Sequence, residues 1–174
     1  LILSLSFVAT SCEKDDEEPI PVETNATGTI EIDIEHVAGD ESFQFDKLFI
    51  NEAGDSLYFN TFKYYVTNFK MVKTDGSTVT LDKSQKHFLV DNAVLASLKL
   101  ELDSVPTGTY TGVEFTLGVD SITNTLDVSK RTGVLDPSNG MYWSWNSGYI
   151  FLKAEGLSPQ STMPDQSFTY HIGG

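Results

Sequence analysis

The chain has 174 residues, 40% of them hydrophobic and 11% aromatic, which suffices for one globular domain with its own core and excludes a disordered chain. Its formal net charge is −14. Six acids between Glu13 and Glu23 stand against Lys14 alone, and the remaining nineteen acids and ten bases leave −9 spread without basic clusters. That excludes nucleic acid and anionic lipid surfaces as partners, since both require concentrated lysine and arginine.

The opening "LILSLSFVATSC" is too short to span a bilayer and fits the apolar core and small-residue cleavage region of a secretory signal. Cys12 is the only cysteine, so no disulfide or thiolate metal site is available to the mature domain. With Ala9-Thr10-Ser11 before it, Cys12 resembles the lipid-bearing cysteine of a bacterial lipobox; the other reading is a free thiol after an ordinary signal. "EKDDEEP" resembles a surface-export signal of one phylum of Gram-negative bacteria, or is a solvated acidic tether. Both readings place the domain outside the cytoplasm. The expectation is an outer-membrane lipoprotein, anchored through lipid on Cys12, exposed at the surface or facing the periplasm.

Residues 1–11 are thus a signal-peptide remnant, residues 12–28 a lipidated acidic tether ending in the linker "PIPVETNATG", and residues 29–174 the domain. "TIEIDIEH" alternates strictly and predicts a half-buried strand with Ile30, Ile32, Ile34 and His36 on its inner face. "FNTFKYYVTNFKMV" and "STVTLD" flank Asp75-Gly76, a hairpin signal because both positions tolerate positive φ. "KHFLVD", "ASLKLELDSV" and "TYTGVEFTLGV" read as further strands, and the glycine inside the last is a bulge signal. "VSKRTGVLDPSNG" is irregular, with room for a short helix and a turn at Asp136-Pro137.

In "GMYWSWNSGYIFLKAEG" period-two alternation puts Met141, Trp143 and Trp145 on one strand face, as core residues or as a site. "SFTYHI" is a last strand, with His171 on the face opposite Phe168, Tyr170 and Ile172. The fold class is all-β: an antiparallel β-sandwich or partly open barrel with long loops. The absent initiator methionine and the stop at Gly173-Gly174 just after a strand signal suggest a piece of a longer chain at both ends.

No nucleophile elbow, zinc-protease motif or phosphate loop is present, so the expectation is a protein that is not an enzyme. His36, His87 and His171 form no zinc-spacing motif. His87 reads as a surface residue between lysines, while His36 on an apolar face is either a hydrogen-bonded structural histidine or a ligand. Imidazole, thioether and indole together suit monovalent copper when no thiolate is available.

The ordered segments "HVAGDESF", "YYVTNFKMVKTDG", "FLVDNA", "VPTGTYTGVEFTLGVDSITNT", "LDPSNGMYWSWNSGYIFLKAEG" and "YHIGG" resemble the MbnP-like family, named after a periplasmic protein encoded beside methanobactin copper-acquisition genes. The resemblance covers residues 29–174. It implies a β-rich extracytoplasmic protein that binds copper for sequestration or delivery on histidines near a tryptophan, which a partner dihaem enzyme oxidises to kynurenine. Carried over, His171 matches the late histidine of the family, His36 lies in an early family segment, and Trp143 and Trp145 match its Trp-x-Trp. Together with Met141 these are the candidate metal residues. The sequence departs from the copper-associated branch by reading Thr123-Asn124-Thr125 where that branch has Asn-His, and by lacking cysteines in the domain. The alternative function is a non-catalytic surface module for a glycan, nutrient or partner protein, with Trp143 and Trp145 stacking on the ligand.

Overall fold

The computed structural model describes residues 26–82, 87–146 and 148–174. Cys12, the signal remnant and the tether up to residue 25 lie outside the described residues, and β1 starts at Thr27, two residues inside the segment expected to be linker. Among the described residues twelve strands follow in order: β1 (Thr27–Asp33), β2 (Val37–Ala38), β3 (Glu41–Ser42), β4 (Leu48–Ile50), β5 (Ser56–Lys73), β6 (Thr78–Thr80), β7 (His87–Asp91), β8 (Lys99–Pro106), β9 (Tyr110–Leu117), β10 (Tyr142–Trp143), β11 (Gly148–Leu157) and β12 (Ser167–Gly173). One α-helical turn, α1 (Ser121–Asn124), and short 3-10 turns fill the irregular region. The fold is all-β, a curled antiparallel sheet forming a half-barrel.

The spine is β5, which pairs antiparallel with β4, β6, β7, β9 and β11, while β11 also carries β10 and β12. At the β5–β6 hairpin Gly76 takes φ 82° and Asp75 accepts from Ser77 N, as the Asp-Gly signal predicts. This central strand has two differently clothed faces, because side chains alternate along a strand. Tyr64 and Val66 point to one side, against Leu100, Leu102 and Val105 of β8 and the inner isoleucines Ile30, Ile32 and Ile34. Tyr65 points to the other, against Val119, Met141, Tyr149 and Ile150. Each fully buried large side chain among these contributes about 1.5–3 kcal/mol.

A bulge preserves this division along β5. Asn68 has φ 55°, and the register with β9 shifts between Thr67 and Lys70. The inserted residue resets the alternation, so Phe69 and Met71 return to the same core as Val66. The glycine of β9 sits at the second register shift, as expected, opposite Val72. The irregular region 118–141 lies over the second face, tied down by Gly118 N donating to Tyr65 O and by the Thr67 hydroxyl donating to Gly118 O.

Two expectations need correction. The run from Met141 to Trp145 is not one strand, since β10 holds only Tyr142 and Trp143 and the chain turns at 144–146. Met141, 1% exposed, is core, whereas Trp145 is 79% exposed. His87 is not a surface residue either. β7 pairs it with Thr67, so it is half-buried on the second face, with Nε2 3.2 Å from the Thr123 hydroxyl. Burial holds its pKa below the ordinary value despite the opposing charge of Asp120.

Candidate functional site

The register of four strands builds one row of side chains. β7 sets Asp91 opposite Lys63, β5 sets Lys63 opposite Lys153, and β11 sets Lys153 opposite His171. Residues directly opposite share a face, so all four lie on the second face of the sheet. Like charges opposite each other are unfavourable, and each lysine has its own acid: Lys63 with Asp91 at 2.9 Å, Lys153 with Glu155 at 3.4 Å.

His171 Nε2 lies 2.8 Å from the same Glu155 carboxylate and donates to it. Burial pushes the Glu155 carboxyl up, but the His171 hydrogen bond and the neighbouring Lys153 and His171 charges outweigh it and hold the pKa below the ordinary value. No hydrogen bond reaches His171 Nδ1 among the described residues.

The Trp143 ring lies 6.2 Å from the His171 ring, tilted by 42°, and 5.8 Å from the Trp145 ring. Trp145 thus leaves the strand and its indole still returns to Trp143. The local sequence explains how Trp143 reaches this place. β10 pairs it with Gly148, and its indole covers Gly173 of β12, where a Cβ would meet Trp143 Cζ3 at 2.6 Å and overlap the Tyr149 carbonyl oxygen. Only a residue without a side chain lets the indole settle there.

Next to Trp143 in sequence, Tyr142 meets the buried Arg131, whose guanidinium lies 4.3 Å from the Tyr142 ring and 5.1 Å from the Tyr149 ring. Its Nε and Nη2 donate to Leu126 O at 2.9 and 2.6 Å. Asn124 ties the ends of the last two strands, accepting from Tyr149 N at 2.7 Å and donating to Gly174 O. Burial raises the Tyr149 pKa above the ordinary value, so its hydroxyl stays a donor, to Leu135 O at 2.6 Å.

His36 belongs elsewhere. Its Nδ1 lies 2.8 Å from Asn92 Oδ1 and its Nε2 2.8 Å from the Tyr64 hydroxyl, and Phe43 and Phe62 set their rings edge-on to it. Tyr64 and Phe62 flank Lys63 in β5 and therefore face the opposite side of the sheet from His171. The structure gathers His171, Trp143 and Trp145, leaves Met141 in the core beside them, and puts His36 on the other face. Sequence reasoning missed Glu155, Lys153 and Gly173. The period-two spacing of Lys153 and Glu155 was visible, but their register against His171 was not.

No cluster of three or more His, Cys, Asp or Glu side chains exists among the described residues. The donor set at His171 is one imidazole oriented by a carboxylate, with two indole faces beside it. It does not suit a divalent ion that needs three or four nitrogen or oxygen ligands. It does suit a soft monovalent cation, which imidazole ligates and aromatic faces attract.

The MbnP family model matches residues 27–174. Among solved structures the chain is similar to MbnP from Methylosinus trichosporium, with a TM-score of 0.64 and 18% sequence identity, over 84% of this chain and 62% of that one. At that identity the likeness is one of fold, and the chain spans less than two thirds of that relative's length. No curated protein matches the sequence. The family match extends over both core faces and the whole row from Asp91 to His171, and the chain belongs to the MbnP family.

Proposed function

We propose that this MbnP-family protein works in the cell envelope, tethered by lipid on Cys12, and takes up monovalent copper at His171 for sequestration or delivery. The observation that carries this reading is the Glu155–His171 pair at 2.8 Å beside the Trp143 indole. A carboxylate that accepts from one ring nitrogen fixes the tautomer and leaves the other nitrogen as an oriented lone-pair donor, here Nδ1. Trp143 and Trp145 supply electron-rich faces for a soft cation and keep water away from one side. One imidazole with aromatic flanks makes an open site, suited to passing metal on.

By the same family resemblance, a dihaem enzyme would act on one of the two indoles. Trp145 is the accessible one and Trp143 the one beside His171. Intact mass of protein from its native host reads this directly, since kynurenine formation replaces one carbon by one oxygen.

An anaerobic titration of the purified chain with Cu(I) against a competing chelator tests the copper reading. Stoichiometric binding is expected, lost in His171→Ala, about tenfold weaker in Glu155→Gln and unchanged in His36→Ala. Binding no tighter than to an unrelated acidic protein would sink it. The exposed Trp145 platform also favours a second reading, a glycan module. Saturable binding on a glycan array, lost in Trp145→Ala without loss of folding, would select that one instead.

A further inference from the structure

A wide groove lies on the far side of the sheet from His171, between the β2–β3 hairpin and the edge strand β4. It encloses about 740 Å³, with Phe49, Leu57 and Phe59 as its apolar floor, and its mouth carries the carboxylates of Asp40, Glu41 and Glu52. Floor residues are held by packing, since Phe49 stacks on Phe43 at 5.4 Å and Phe59 meets Phe168 edge-on at 5.3 Å. The groove is therefore preformed.

One wall is open backbone. Among the described residues β4 pairs only with β5, and Asn51 N donates to Asp55 O at 3.1 Å, so the hydrogen-bonded positions of this ladder are Asn51 and Phe49. Leu48 and Ile50 consequently turn their N–H and C=O groups away from β5, and among the described residues no strand pairs with β4 on that side. Both side chains are exposed, Ile50 at 68%. Shortness is itself one way of blunting an edge, and β4 has three residues, but Leu-Phe-Ile adds no charge, proline or bulge to it.

We propose that this groove receives an extended, basic segment of a partner polypeptide, which adds as a strand to β4. Backbone bonds to Leu48 and Ile50 would hold the segment in register, apolar side chains would settle on Phe49 and Phe59, and alternate lysine or arginine side chains would meet Asp40 and Glu52. Charge decides the occupant. The groove lining has three carboxylates and no base, and Lys47, which closes on Glu41 at 2.6 Å, neutralises only that one. A second copy of this acidic chain fits poorly for the same reason. The inference does not rest on copper binding, because β4 and His171 occupy different faces.

The test uses the full chain and a short synthetic peptide alternating valine with lysine, against one alternating valine with glutamate. The lysine peptide is expected to bind, to slow amide exchange at Leu48 and Ile50, and to weaken about tenfold in an Asp40→Lys, Glu52→Lys double variant whose exposed positions leave folding intact. Ile50→Pro, which removes an outward N–H, should abolish the protection. Equal binding of both peptides, or protection confined to other strands, would overturn the proposal. So would unchanged affinity in the charge-reversed variant.

Discussion

His36 and His171 are the same residue type on two faces of one sheet, and their surroundings assign them different work. Around His36 both ring nitrogens are satisfied, by Asn92 and the Tyr64 hydroxyl, and phenylalanine rings close the rest. At His171 one nitrogen is held by Glu155, and the ring lies beside an indole that packs on glycine. The difference teaches that an apolar strand face does not make a histidine a ligand. A satisfied imidazole has no lone pair left to offer, while one held by a carboxylate at a single nitrogen keeps the other free, and the proposed copper reading uses that nitrogen.

The strongest way to break the comparison is at Gly173. Gly173→Ala pushes a methyl group into Trp143 and the Tyr149 carbonyl, and a cost of about 3 kcal/mol is expected in chemical denaturation, with a shifted indole emission. An unshifted emission would mean that Trp143 does not rest on β12. Next in size is His36→Ala, which strands a half-buried Tyr64 hydroxyl and Asn92 amide and should cost about 2 kcal/mol with no change in metal binding. A stable His36→Ala variant would remove the structural half of the contrast.

The smallest effect is pH dependence through His87. Burial places its folded-state pKa below the unfolded value of 6.5, so the unfolded chain binds more protons between the two. Its contribution is present above pH 6.5 and is lost as pH falls from 6.5 toward the folded value. Denaturation midpoints across that window should fall with pH in the native chain and flatten in His87→Gln. Equal slopes in both would place the linkage on another group.

Much of the fold was legible because local rules decided it. Alternation in "TIEIDIEH" set the inner isoleucines, Asp75-Gly76 set the hairpin, and the glycine of β9 set its bulge. The tryptophan stretch was misjudged because period two applies only while the strand lasts, and the strand ends at Trp143. His87 was misplaced because flanking lysines report on sequence neighbours, whereas β7 buries it through its pairing with Thr67.

By itself the sequence determined an all-β domain, its family, and the presence of imidazole and indole without a thiolate, since composition, period and segment order are local properties. Tertiary structure alone decided which of these groups meet. Strand register sets Lys153 against His171, brings Glu155 within 2.8 Å of its ring, and sends His36 to the opposite face. Register depends on how distant strands pair, and a shift of one residue would turn each of these side chains to the other side of the sheet.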